Sequence, residues 1–264
     1  MNIKQNINQL QRDFSLVLSG GGALGIAHLN VLRALDESNL KPKEIIGTSM
    51  GAILGSCYAL NYSDQEIYQF IKNFSNIFKW GKISFSNGSL LSTDKIADLF
   101  SLLFADKKIA ETAIELKIVA TDFNTGKAEV FDKNSDISIK HAVLASMAIP
   151  GIFPPVKINN NFYVDGFISS NLPVEFAQYD SILACNVLGK NSFNSYQEKD
   201  YQFFGHTKAV LGMLERSLRL FMYNKAQEPL HNKSGVVLIE PKVAQFKTFD
   251  FNKYERIIKE SCVD

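Results

Sequence analysis

The chain has 264 residues, 46% of them hydrophobic and 21% charged, enough for one large α/β domain with a sizeable core. Lys and Arg number 28 against 27 Asp and Glu, so no net field draws the chain to nucleic acid. The cysteines are three, Cys57, Cys185 and Cys262, far apart and without a C-x-x-C pair, which argues for a reducing compartment and against a disulfide framework or a zinc site.

Residues 1–13 read as a polar lead-in without the apolar core of a secretory signal. A single domain is expected over 14–264, with no linker. No stretch reaches about 18 uninterrupted apolar residues, so no membrane span is expected. The apolar run Phe14–Leu18 predicts a central parallel strand. Gly20-Gly21-Gly22-Ala23-Leu24-Gly25 follows, then a helix to about Glu37, with Ala27, His28, Val31, Leu32 and Leu35 on one face. Asn39 to Lys43 is a turn. Ile45-Ile46 then ends a second strand that runs into Gly47-Thr48-Ser49-Met50-Gly51, and Ala52–Leu60 continues as a helix. This β–α–β–α opening calls for a parallel sheet with right-handed crossovers.

A serine on a strand-to-helix turn, with Gly47 and Gly51 two residues to either side, is the nucleophile-elbow pattern G-x-S-x-G. The turn is too sharp for bulk at those two places. Its serine sits at a helix N-terminus, which favours a developing anion. The glycine run has three readings. Gly20, Gly22 and Gly25 match the dinucleotide fingerprint, but the acid expected at the end of the second strand is missing, since Gly47-Thr48-Ser49 stands there. A loop of small residues beside the elbow instead fits an oxyanion hole. The plainest reading is a tight turn.

Residues 61–91 are rich in aromatics. Core packing is the expectation for most of them, with an apolar flap over the site as the alternative for Phe74–Leu91. Thr93 is placed as the N-cap of a helix through Phe104. Leu116–Asp122 predicts a buried strand, Asn124-Thr125-Gly126 a turn, and Ile139–Ala148 a helix that stops at Pro150-Gly151. Phe162–Val164 predicts a short strand ending in Asp165-Gly166. Ser181–Leu188 and Gly235–Ile239 read as further strands. Thr207–Tyr223 and Phe251–Glu260 read as helices, the first with Val210, Leu211, Leu214, Leu218, Phe221 and Met222 on one side.

Ser49 needs a proton acceptor. The four histidines are His28, on the buried stripe of the first helix, His141, and the late His206 and His231. The order Ser49…Asp165…His206 or His231 obeys the α/β-hydrolase triad, yet that fold places several strands before the elbow and here only one strand and one helix precede it. Asp165, at a strand end before a glycine, is the better partner, although Asp-Gly is also an ordinary turn.

The ordered set Ser19-Gly20-Gly21-Gly22-Ala23-Leu24-Gly25, Gly47-Thr48-Ser49-Met50-Gly51, Thr121-Asp122, Ala145-Ser146-Met147-Ala148-Ile149-Pro150 and Asp165-Gly166 resembles the patatin-like phospholipases. The resemblance implies a three-layer α/β/α fold around a mostly parallel sheet. It implies a Ser49–Asp165 dyad without catalytic histidine, and an oxyanion hole from the N–H groups of Gly20, Gly21 and Gly22. It further implies hydrolysis of acyl esters of phospholipids or lysophospholipids at a membrane or micelle surface, with no metal and no cofactor. The expected location is cytoplasmic, free or peripheral at membranes. An acyltransferase using the same elbow, or an inactive lipid-binding protein, are the competing functions. Two departures stand out: Leu24 replaces the common cation of the glycine loop, and Phe167 follows Asp165-Gly166 where a small residue is usual. The resemblance fades beyond about residue 190.

Overall fold

In the computed structural model, residues 3–80, 94–195 and 206–262 are described. The chain opens with helix α1 (Ile3–Ile7), strand β1 (Ser15–Leu18), a 3-10 turn over Gly22–Ala27 and helix α2 (His28–Glu37). Strand β2 (Glu44–Thr48) leads into helix α3 (Met50–Ala59), followed by α4 (Asp64–Trp80) and α5 (Asp94–Phe104). Strands β3 (Glu115–Asp122) and β4 (Ala128–Phe131), helix α6 (Ile139–Ser146), and strands β5 (Val156–Ile158) and β6 (Asn161–Asp165) come next. Strand β7 (Ile182–Cys185), helix α7 (His206–His231), strand β8 (Val236–Ile239) and helix α8 (Tyr254–Glu260) complete it.

All eight strands form one sheet in the order β5-β6-β3-β2-β1-β7-β8, with β4 also paired to β3. From β3 to β8 the pairs are parallel, and β4, β5 and β6 add an antiparallel margin. Alternation along each strand splits the core between two faces. Leu16 and Leu18 of β1, Ile45 of β2 and Ile118 of β3 join the larger cluster with α2, α3, α4 and α6. Val17, Ile46, Val119, Ile182 and Ala184 point the other way, onto Leu172, Val174 and Ala226 of α7. The architecture is therefore a three-layer α/β/α sandwich, as the resemblance implies.

Three expectations are revised. The lead-in is not merely polar: Ile3 and Ile7, one turn apart in α1, are buried in the larger cluster. Their signal is diluted by Lys, Gln and Asn between them. The late helix runs on to His231, eight residues beyond the expected end at Tyr223, and contains Pro229. Proline removes one backbone donor and crowds the carbonyl one turn back, and the helix ends two residues beyond it. The α7 stripe of Val210, Leu214, Leu218 and Phe221 is exposed, while Arg219, Met222 and Ala226 face inward. In the aromatic segment, Phe70 and Phe74 of α4 are core residues, stacked with Phe100 of α5. Residues 81–93, with the flap alternative and the Thr93 cap, lie outside the described residues.

Candidate active site

The C-terminal ends of β1 and β2 lie side by side in register, Leu18 opposite Gly47, so the loops that follow them are neighbours. The elbow turn leaves Ser49 at φ 54 and ψ −121, a region that residues with a side chain seldom occupy. Tight packing enforces it: a Cβ on Gly51 would lie 2.3 Å from the carbonyl oxygen of Leu18. Serine at a helix N-cap usually accepts a bond from the first turn. Ser49 makes no such bond. Its hydroxyl instead donates to Oδ2 of Asp165 at 2.7 Å, across 116 residues of chain.

Asp165 ends β6, paired with Ala120 of β3. Its second oxygen, Oδ1, accepts the N–H of Phe167 at 3.0 Å. The side chain is 1% exposed. Burial pushes its carboxyl up to about 7, the bonds from Phe167 and Ser49 pulling only partly back. A carboxylate so tuned changes protonation near neutrality.

No histidine whose side chain is described takes part in this contact. His28 is buried, its Nε2 donating to the carbonyl of Ser19 at 2.8 Å, and burial pushes it down to about 4. His141 is exposed and pairs with Ser138. His231 ends α7, and the side chain of His206 lies outside the described residues.

The glycine loop is more specific than the sequence indicates. The N–H of Gly20 donates to the carbonyl of Asn171 at 3.1 Å, and that of Ala23 to the carbonyl of Thr248 at 2.8 Å. Gly20 is therefore engaged, contrary to its expected place among the free donors. Gly21 and Gly22 make no hydrogen bond through N–H among the described residues. Gly22 has φ +57, and a Cβ there would lie 2.4 Å from the carbonyl oxygen of Thr248, so this step of the loop requires glycine. Gly25 packs on Met50, Gly47 on the start of α3, and Gly166 on the Val119 carbonyl.

Ser146, at the end of α6, is a residue to which sequence reasoning assigned no role. Its hydroxyl donates to the carbonyl of Val119 at 2.6 Å and accepts the N–H of Ser49 at 2.8 Å, so it ties the elbow to β3. Asn171 is 4% exposed, and neither atom of its amide has a partner among the described residues. Beside Ser49 a small apolar cleft is lined by Ile53, Phe74, Met147, Phe153 and Phe249. Among the described residues no group of three or more His, Cys, Asp or Glu is placed to hold a metal. None of the described helices is long and apolar enough to cross a membrane.

A parallel sheet with helices on both faces, and a strained serine at the turn between strand and helix, define an α/β protein of the nucleophile-elbow class. A family model described as Patatin-like phospholipase matches residues 16–177, more than half of the chain. The chain belongs to the patatin-like phospholipase family. It is 28% identical to Lysophospholipase NTE1 of Saccharomyces cerevisiae over 92% of this chain and 16% of that protein. An uncharacterised NTE family protein of Mycobacterium bovis is 32% identical over 61% of this chain and 44% of its own length. Among solved structures, VipD from Legionella pneumophila aligns over 94% of this chain and 67% of its own, with TM-score 0.49 and 15% identity. The chain spans less than a fifth of the length of the first curated relatives it matches.

Proposed function

We propose that this protein is a serine acyl hydrolase that cleaves ester bonds of phospholipids or lysophospholipids. The observation that carries the reading is the 2.7 Å bond from the Ser49 hydroxyl to a buried Asp165 carboxylate. Asp165 takes the Ser49 proton as the oxygen attacks the ester carbonyl. The N–H groups of Gly21 and Gly22 hold the oxyanion, a type of contact worth about 10²–10³ in turnover per donor. Asp165 then returns the proton to the leaving alcohol, and water drawn through the same carboxylate releases the acyl group.

The substrate class is supported by the cleft, whose walls beyond Ser49 and Gly22 are apolar and suit an alkyl chain. The yeast relative is named a lysophospholipase, consistent with a single-chain lipid ester. Phe249, half exposed where the cleft opens, fits entry of a chain from a lipid surface.

The test uses purified protein with a panel of phospholipids and lysophospholipids, with released fatty acid as the readout. Ser49→Ala and Asp165→Asn should each lower hydrolysis by about 10³-fold or more while the fold is retained. A fluorophosphonate should label the wild type at Ser49. Unchanged hydrolysis in either variant would remove the dyad.

A further inference from the structure

The part of the chain beyond residue 177, outside the family match, reaches back to the glycine loop. The carbonyl of Thr248 accepts the N–H of Ala23 at 2.8 Å and sits against Gly22. Thr248 is itself held from behind. Its N–H and its hydroxyl both donate to Oε1 of Glu215 on α7, at 2.7 and 3.0 Å. Arg219, one turn further along α7, donates to the same oxygen at 2.6 Å. The buried guanidinium of Arg219 also donates to the carbonyls of Phe246, at 2.8 Å, and Ser192, at 2.6 Å. These are charge-assisted bonds, stronger than neutral ones. Burial opposes the charge on Glu215, but the bonds from Thr248 and Arg219 outweigh it and hold the carboxyl below its usual range.

We infer that Glu215 is a positioning residue for the glycine loop, acting through Thr248, and that the neighbouring Phe249 sets the acyl length the cleft accepts. This deepens the hydrolase reading above and rests on it. Donors in an oxyanion hole act only when aimed at the point where charge develops, and displacements below an ångström are costly. Gly21 and Gly22 have no side chains to fix them. The bond from Ala23 to Thr248 supplies that constraint, and Glu215 holds Thr248 in place. Phe249, next along the same segment, lines the cleft that contains Ser49. One short stretch of chain thus aims the loop and walls the chain site.

The experiment takes the full chain, its Glu215→Ala, Glu215→Gln and Phe249→Ala variants, and Ser49→Ala as control. Rates on p-nitrophenyl esters of rising acyl length are normalised to fluorophosphonate-labelled sites, and amide hydrogen exchange is followed over residues 20–24. Glu215→Ala should lower kcat about 10- to 100-fold, with KM for a short ester changed less than about twofold, and should speed exchange at Ala23. Glu215→Gln keeps an acceptor for Thr248 and should recover kcat to within about fivefold of wild type. Phe249→Ala should move the preferred acyl length upward by about two carbons or more, because the space left by the ring lets further methylenes be buried. Unchanged kcat per labelled site, or unchanged exchange at Ala23, in Glu215→Ala overturns the positioning role. Unchanged length preference in Phe249→Ala overturns the second part. Hydrolysis that persists in Ser49→Ala would strike the hydrolase reading alone, and exchange at Ala23 would still decide whether Glu215 holds the loop.

Discussion

Asp165 carries a cost that its chemistry requires. A carboxyl that loses its proton near 3.8 in the unfolded chain does so only at about 7 when folded. Between those values the folded protein binds the additional proton, so stability from this group is complete below about pH 4 and is lost as pH rises through 7. Activity runs the other way, since only the ionised form can accept the Ser49 proton. Turnover should therefore rise about tenfold per pH unit below 7 and level off above it, which a pH–kcat/KM profile checks. The same logic predicts that Asp165→Asn, inactive as a hydrolase, is more stable than wild type at pH 8. The gain is at most about 4 kcal/mol, from a shift of about three pH units at 1.36 kcal/mol each, and it shrinks towards pH 4. Urea melts of the two proteins across that range measure it. A gain that did not depend on pH would mean that burial of the charge is not its source.

Among elements, the elbow stands out because its geometry is held from outside. Strand β2 and helix α3 produce the turn, but the N–H of Ser49 is satisfied by Ser146 of α6, 97 residues away. Removing that hydroxyl leaves a buried donor unpaired, at a cost of about 1–3 kcal/mol. It also releases the φ 54 conformation from its anchor on β3. Ser146→Ala should thus lower kcat about tenfold or more at unchanged labelled-site concentration, and lower the urea midpoint. The contrast with Ser49 and Asp165 explains what could be read in advance. G-x-S-x-G announces itself because the steric demand of the turn is local, and Asp165-Gly166 because it closes a short strand. Ser146 gives no such sign: serine in a helix has many roles, and its partners are set by the packing of α6 on β3. Glu215 and Thr248 are illegible for the same reason, since their bond joins helix α7 to a loop 33 residues further along the chain. The sheet was readable from its short apolar runs and the β–α–β opening. Helix α1 was not, because two buried isoleucines among amides fall below what periodicity can signal.

At the scale of the whole molecule, the sheet separates chemistry from one of its most demanding stability devices. Ser49 and the glycine loop lie beyond the C-terminal ends of β1 and β2. At the opposite end, Glu44 begins β2 and Lys117 lies near the start of β3, their charged atoms 2.5 Å apart and both side chains buried. Glu44 Oε2 accepts the Ser15 hydroxyl at 2.6 Å and the N–H of Gln178 at 3.0 Å, while Lys117 donates to the Phe176 carbonyl at 3.1 Å. Five strand residues, about 16 Å, separate this pair from the elbow. Lys117→Met should strand the Glu44 charge and cost about 3–5 kcal/mol, yet leave kcat per labelled site within about twofold wherever the protein is folded. Glu44→Gln combined with Lys117→Met removes the charge as well as its partner and keeps the bonds to Ser15 and Gln178 available. It should recover more than half of the loss, since a neutral pair needs no compensation for lost hydration. Chemical denaturation of the wild type and the two variants separates the two contributions. If the double variant melts no later than Lys117→Met alone, the lost energy lies in the packing of the lysine stem and not in the unpaired carboxylate.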